Sequence, residues 1–410
     1  MEAAPAVGST AVKAASRTFR GKFLNSFGEG ETKVNIKLTL KASVAAAALF
    51  AVAVPVAEAG TIGNSNDMSV TVSGHMNKMG VYYDSGSQSG LYQADNGGSQ
   101  TRARIVFKGK VNEAVDVTGV SEWAMTASNE STLDPSDGGQ LGNGINGTEA
   151  GTDSFFTIRH NYLKLNHKQF GALSIGHTSE ATDGITEFGG SGNLQYGTGM
   201  LFASSVTLEN STTGSTAANV DVGGLAVAVD GTRSSVFKYN TPSFQGVTLG
   251  VSHTNEQNSA VDAKFSGKFA DFSVKAGIGY KNTAASSAND YQIGGGIVVG
   301  HTSGLAADFN YGKIEIKAAG ARTPTAYSVG LNYAADLTSA GKTTFRIARS
   351  EAEDGSATGD ELVGYMVGVD QGIAAGMQIY AGAQVHQADQ AAGVSYEDVT
   401  TVFAGTKIVF

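Results

Sequence analysis

Residues 102–111 read Arg-Ala-Arg-Ile-Val-Phe-Lys-Gly-Lys-Val, a stretch in which apolar and basic side chains alternate. Because successive side chains of a β-strand point to opposite faces, Ile105 and Phe107 share one face. Arg102 and Arg104 share the other face with the lysines that follow. The period of two predicts a strand that separates an apolar from a polar environment.

The same alternation recurs to the end of the chain. Short turns such as 112–113 and 166–169 alternate with longer polar stretches such as 84–100 and 127–153. Tight turns at one rim and longer loops at the other are typical of a β-barrel. Sixteen segments are predicted as strands: 67–83, 101–112, 114–126, 154–166, 170–178, 233–241, 245–255, 259–268, 270–281, 289–299, 304–312, 325–335, 342–350, 360–370, 375–386 and 396–410.

The composition excludes several classes of protein. The chain has 410 residues, of which 55 are glycine and none is cysteine, so disulfide frameworks and thiolate metal sites are excluded. Acidic residues exceed basic ones, with a net charge of −9. This charge argues against a nucleic-acid partner, because phosphate backbones are bound by basic surfaces. A hydrophobic fraction of 41 % with only five prolines argues against disorder.

Residues 34–59 have the three parts of a secretory signal peptide. Lys37 and Lys41 belong to a basic region, residues 44–57 form an unbroken apolar run, and Ala57 and Ala59 form the cleavage site. The apolar run has 14 residues and is too short to span a bilayer as a helix, which takes about 20 residues.

The segment that precedes this signal, residues 1–33, resembles no export signal. We therefore expect translation to start at Val34, so that residues 1–33 are an extension absent from the natural protein. The exported chain would be residues 60–410, a single domain with 21 basic and 33 acidic residues and a net charge of −12.

Two all-β architectures accommodate such strands. A soluble β-sandwich buries its apolar faces and uses roughly 100 residues per domain, but no linker or change of composition divides this chain. A transmembrane barrel turns its apolar faces to lipid and its polar faces to water, and it leaves no sheet edge in the bilayer. Export and an even number of strands favour the second, an all-β transmembrane antiparallel barrel of about 16 strands.

The chain ends in an amphipathic strand in which Gly405, Ile408 and Phe410 resemble the C-terminal assembly signal of outer-membrane barrels. Further segments resemble, in order and spacing, the general diffusion porins of Gram-negative outer membranes. Together they span most of residues 67–410. The segments are Thr101–Gly109, Tyr162–Leu165 with Phe170–Gly176, Thr186–Gly190, Ser235–Phe244 and the terminal strand.

The resemblance implies a channel for passive diffusion of ions and small hydrophilic solutes in the outer membrane of a Gram-negative bacterium. It also implies a homotrimer that is surrounded by outer-membrane lipid and inserted by the barrel-assembly machinery. The loop after the fifth strand, residues 179–200, would fold into the barrel and narrow it with Asp183 and Glu187. A divalent cation at this acidic loop is compatible with the resemblance. Residues 201–232 are either a loop hairpin or a replacement for one of the later strands.

Basic residues on the polar faces of the strands are candidates for the wall opposite this loop. They are Arg102, Arg104, Lys238 and, where the alternation is ambiguous, Arg159. Basic groups facing carboxylates across a narrow aqueous gap produce a transverse electric field, and a confined channel focuses it. A charged constriction of this kind would set ion selectivity.

Catalytic motifs are absent from the sequence. None of the seven histidines forms an H-E-x-x-H pair, and no G-x-S-x-G elbow occurs, so we predict no enzyme and no cofactor. The alternative function is a secreted or surface β-rich adhesin or structural protein, which predicts internal repeats that the chain lacks. A third hypothesis, a barrel enzyme, lacks a traceable Ser/His/Asp constellation.

Overall fold

The computed structural model of the protein describes residues 60–63, 68–86, 89–95, 101–125, 156–189, 207–212, 219–391 and 393–410. The predicted extension 1–33, the signal peptide 34–59 and the cleavage residues Ala57 and Ala59 lie outside the described residues and stay predictions. Among the described residues, no helix is long and apolar enough to cross a membrane.

Sixteen long strands form the wall, and each segment predicted from the alternation corresponds to one of them, with boundaries that agree within four residues. They are β1 Ser69–Asp84, β2 Arg102–Lys110, β3 Val115–Met125, β4 Phe156–His167, β5 Gly171–Ser179, β6 Arg233–Asn240, β7 Val247–Thr254, β8 Ser259–Phe269, β9 Phe272–Asn282, β10 Asn289–His301, β11 Leu305–Ile316, β12 Thr325–Thr338, β13 Gly341–Glu353, β14 Glu361–Ala374, β15 Met377–Gln390 and β16 Val399–Val409. The other elements within the described residues are the short strands Gly60–Gly63, Ser89–Asp95, Thr207–Leu208, Val220–Asp221 and Val394–Ser395 and the helical turn α1, Val222–Leu225.

The strands form one closed antiparallel sheet. Each long strand pairs with the next along the chain. The last strand, β16, pairs with β1 from His75 opposite Val409 to Asp84 opposite Thr400. Closure pairs the backbone groups within the wall, which a bilayer requires because lipid offers them no hydrogen-bond partners.

The wall has apolar side chains on its outer face and polar side chains on its inner face, the reverse of a soluble protein. Leu163, Ile278 and Leu331 point outward with 61, 57 and 55 % of their surface exposed. On the inner face, Asn310 and Ser328 are polar and fully buried. An apolar exterior around a polar interior is the arrangement of a transmembrane barrel. The sandwich alternative is therefore wrong.

The loop between β5 and β6 contains a hairpin and does not supply a wall strand. Thr207–Leu208 pairs with Val220–Asp221 in a two-stranded sheet separate from the barrel, and α1 follows directly. This settles the open alternative for residues 201–232 in favour of a loop hairpin.

This long loop folds inward, as the resemblance implied. Its second arm contributes buried apolar side chains that pack against buried side chains of the inner wall. Such burial stabilises the loop because apolar surface leaves water. The loop side chains are Leu208, Val222, Leu225, Val227 and Val229, and the wall side chains include Met79, Leu362, Met366 and Phe403.

Inner-face glycines of β9 to β11 make room for the loop. A Cβ atom added at Gly279 would collide with Ile185, and one added at Gly312 would collide with Val229. The glycine run 294–296 lies on β10, between these two strands. These glycines permit close backbone approach, a common reason for glycine inside strands.

A buried ion pair crosses the inner face of β11 to β13. Arg346 donates to both carboxylate oxygens of Asp308, with Nη1–Oδ2 at 2.6 Å and Nη2–Oδ1 at 3.0 Å. Both side chains are fully buried, and Asn332 accepts a further hydrogen bond from Nη1 at 3.1 Å. Removing one partner of such a pair leaves an uncompensated charge in a buried position.

We expect Asp308→Ala to lower the free energy of unfolding by about 3–5 kcal/mol, because the Arg346 guanidinium loses its counter-charge. The double variant Asp308→Leu with Arg346→Met removes both charges and is expected to lose much less. Urea unfolding of protein refolded in lipid vesicles measures both values. A single variant as stable as the parent protein would contradict the role given to this pair.

Candidate functional site

Three arginines converge on one glutamate at the inner face of β2 to β4, and we call this group the arginine wall: Arg102, Arg104, Arg159 and Glu122. The register places Glu122 directly opposite Arg104 on the neighbouring strand. Arg104 contacts Oε2, whereas Oε1 receives Arg159 Nε at 3.0 Å and Arg102 Nη1 at 3.5 Å. The carboxylate is fully buried, and the group carries a formal net charge of +2.

A β-bulge explains why alternation could not place Arg159. The pairing of β3 with β4 shifts register there: Glu122 lies opposite His160 and Trp123 lies opposite Ile158, so the register passes over Arg159. A bulge re-aims a side chain. Arg159 therefore contacts Glu122 on the inner face, while its neighbour His160 contacts Thr178 Oγ1 at 3.1 Å.

The first arm of the loop, residues 180–189, carries Asp183 and Glu187. This arm is hydrogen-bonded to the inner face of the wall. The backbone N–H of Ala181 donates to Ser252 Oγ at 2.9 Å. Lys264 Nζ donates to the carbonyl of Asp183 at 3.1 Å. These bonds hold the Asp183 backbone against β7 and β8.

The tip of this arm is fixed to β11 by a reciprocal pair of hydrogen bonds. The Phe188 N–H donates to Asn310 Oδ1 at 2.9 Å, and Asn310 Nδ2 donates back to the Phe188 carbonyl at 2.8 Å. Asn310 is fully buried, so both halves of its amide are used. Glu187 is thus attached to a rigid strand through its neighbour.

Asp230, which the sequence analysis missed, joins the two arms of the loop. Its carboxylate accepts hydrogen bonds from the Thr186 N–H at 2.8 Å and the Thr186 hydroxyl at 2.7 Å. Gly231 N–H also donates to the Thr182 carbonyl at 3.1 Å. No local pattern marks Asp230, because its partners are about forty residues away.

Lys238 lies on the inner face of β6, and its neighbour Phe237 is exposed on the outer face. Its Nζ donates to the carbonyl of Ser179 at 2.7 Å, at the point where the loop begins. It also interacts electrostatically with Asp183. Lys238 therefore supports the start of the loop as well as contributing charge.

The arginine wall and the loop carboxylates are near enough to act on one another. Asp183 interacts electrostatically with Arg159, and Glu187 does so with Arg159 and Arg233. Burial within the barrel, reinforced by Asp230 and Asp183, raises the pKa of Glu187 to about 7. Burial also raises the pKa of Asp230. All six predicted site residues thus belong to one charged region.

Two further expectations concern a divalent cation at the acidic loop and the C-terminal strand. In the part of the chain that the structure describes, no group of three or more His, Asp or Glu side chains is placed to hold a metal ion. Phe410 exchanges backbone hydrogen bonds of 2.9 and 3.0 Å with Gly74 at the closing seam. Ile408 faces outward, and Gly405 leaves space for the Tyr380 ring. Their role as an assembly signal stays a prediction.

A sequence model described as "Gram-negative porin" matches residues 42–391. The chain belongs to the Gram-negative porins. The porin is a channel of the outer membrane through which ions and small hydrophilic solutes diffuse. A comparison with the curated proteins finds no match.

Solved structures share its fold at low sequence identity. An anion-selective porin from Comamonas acidovorans is 15 % identical with a TM-score of 0.58, over 84 % of this chain and 100 % of that one. A trimer form of OmpT, an outer-membrane protein of Vibrio cholerae, is 12 % identical with a TM-score of 0.52, over 84 % and 99 %. The outer-membrane channel DcaP of Acinetobacter baumannii is 14 % identical with a TM-score of 0.50, over 85 % and 99 %.

The raised pKa of Glu187 predicts a selectivity that changes near neutral pH. Below about pH 7 its carboxyl is mostly neutral, and above it the group adds a negative charge beside Arg159. The ratio of potassium to chloride permeability should therefore rise, by roughly twofold, between about pH 6 and pH 8. Reversal potentials in a salt gradient measure the ratio. In Glu187→Gln the change should disappear, and a parent channel whose ratio is constant over this range would refute the assignment.

Proposed function

We propose that Arg102, Arg104, Arg159 and Lys238, facing Asp183 and Glu187, form the selectivity constriction of this porin. The observation that carries the proposal is the electrostatic interaction between Arg159 of the arginine wall and Asp183, on a loop that is hydrogen-bonded to β7 and β11. The basic groups belong to strands β2, β4 and β6, whereas the carboxylates belong to the inward loop.

Charges so arranged produce a field across the lumen instead of along it. A small hydrophilic solute passing between them exchanges bulk water for oriented guanidinium and carboxylate groups. Because the surrounding wall has a low dielectric constant, a few fixed charges dominate the preference among ions. Hydrogen bonds hold the Arg159 side chain and the backbone of Asp183 and Phe188 in place.

We further propose that the protein acts as a passive channel and catalyses no reaction. The sequence contains neither an H-E-x-x-H pair nor a G-x-S-x-G elbow. Charged groups of the lumen form ion pairs or hold the loop, as in the Arg159–Glu122 pair and the Thr186–Asp230 hydrogen bond. Both roles suit a permeation path.

The functional unit that we propose is a homotrimer in outer-membrane lipid, inserted by the barrel-assembly machinery. The trimer form of the Vibrio cholerae protein supports the oligomeric state. The apolar outer face, with Leu163 and Leu331 exposed, supports contact with lipid. The closing strand β16, which ends at the Gly74–Phe410 contact, supports recognition of the C-terminus during assembly.

The constriction is tested by neutralising the loop carboxylates. Purified parent protein should give stepwise single-channel currents in planar bilayers. In Asp183→Asn with Glu187→Gln, the ratio of potassium to chloride permeability should fall by roughly two- to fivefold, the effect of unit charges about 8 Å away across water. Reversal potentials that equal those of the parent would reject the placement.

A matched control makes the same change of charge elsewhere. Glu113 and Asp271 are exposed in short turns between β2 and β3 and between β8 and β9. Glu113→Gln with Asp271→Asn is expected to leave the permeability ratio unchanged. An equal shift in this control would mean that the ratio reports overall charge and not the constriction.

The trimer is tested by cross-linking the detergent-solubilised protein. The expected result is a cross-linked ladder that ends at three chains. Uncross-linked protein should migrate as an oligomer when unheated and as a single chain after boiling. A protein that conducts but migrates as a single chain under every mild condition would rule out the trimer while leaving the channel intact.

A further inference from the structure

Glu122 occupies the centre of the arginine wall but is shielded from the lumen. Its side chain is fully buried, whereas Arg102, Arg104 and Arg159 retain 21, 44 and 16 % of their side-chain exposure. Passing solutes therefore meet the guanidinium groups and not the carboxylate. Any effect of Glu122 on permeation must act through the three arginines.

Both carboxylate oxygens of Glu122 are occupied. Oε2 receives Arg104, and Oε1 receives Arg159 and Arg102. Charge-assisted hydrogen bonds of this kind are strong and directional. The three guanidinium groups repel one another, and the negative charge of the carboxylate between them offsets this repulsion. A neutral residue at position 122 would leave a formal charge of +3 where the parent has +2.

Strand geometry, and not a local motif, assembles this group. Arg102 and Arg104 are two residues apart on one face of β2, and the register places Glu122 beside them on β3. The bulge on β4 adds Arg159 from the other side. The carboxylate is thus enclosed by cations from both neighbouring strands.

We propose that Glu122 is a positioning residue that determines the selectivity of the channel. It holds the three arginine side chains in one arrangement and sets the positive charge that they present to the lumen. The inference rests on the proposed constriction and deepens it. It assigns control of the positive charge of the arginine wall to a buried carboxylate that no solute touches.

The first test is Glu122→Gln, which keeps the size of the side chain and removes its charge. We expect the ratio of chloride to potassium permeability to rise by roughly two- to fivefold, the factor for one unit charge about 8 Å away across water. Glu122→Gln combined with Arg159→Gln restores a formal charge of +2, and its ratio should return toward that of the parent. A conducting Glu122→Gln channel with the parental ratio would overturn the proposal.

A second comparison serves if Glu122→Gln does not assemble. Arg159→Gln alone carries a formal charge of +1, and the double variant carries +2, so the chloride preference should rise between these two by the same factor. Equal ratios in these two channels would also overturn the proposal.

The positioning role is tested separately by the rate at which phenylglyoxal modifies the arginines. Mass spectrometry measures this rate. Loss of the carboxylate should speed modification of Arg159, which Glu122 holds at 3.0 Å. Unchanged reactivity in Glu122→Gln would refute the positioning role.

The matched control is Glu351→Gln, which removes a carboxylate paired with Arg349 on the outer face of β13. It should leave the permeability ratio unchanged, and a shift equal to that of Glu122→Gln would overturn the proposal. A parent protein that forms no channels would refute the proposed function itself. Parent channels whose ratio is insensitive to position 122 would refute only this inference.

Discussion

The backbone ladder between β16 and β1 closes the sheet, and without it two strand edges would meet the bilayer with unpaired N–H and C=O groups. Closure fixes the other properties of the wall. Once the sheet is a cylinder, alternate side chains face lipid and lumen, so apolar residues such as Ile278 lie outside and polar residues such as Asn310 lie inside. The interior is then available for charged groups, which the lipid-facing exterior would not accommodate.

Two kinds of interaction attach the inward loop. The first arm is held by directional hydrogen bonds from Ala181 and Phe188 to side chains of the wall. The second arm is held by apolar packing around Leu225. Hydrogen bonds from the N–H and the hydroxyl of Thr186 to Asp230 join the two arms. In the constriction that we propose, the carboxylates of the first arm are therefore held by the contacts of that arm with the wall.

The sequence predicted the strands well because a barrel wall has the same alternation in every strand. It also placed Arg102, Arg104 and Lys238 on the inner face, where a regular register holds. It could not place Arg159, because a bulge breaks the period at that residue. Glu122 was missed because its importance depends on partners from two other strands, and Asp230 because its partner lies in the other arm of the loop. Contacts between distant parts of the chain leave no local period to read.

The inner-face glycines give the wall a shape complementary to the loop, since Gly279 accommodates Ile185 and Gly312 accommodates Val229. The space inside the barrel therefore depends on two stretches of the sequence. One is the loop, and the other is the set of glycines in strands about a hundred residues later. The two stretches are therefore coupled, because a side chain at either glycine would collide with the loop residue that packs there. A larger residue at Gly279 or Gly312 would therefore need a smaller one at Ile185 or Val229.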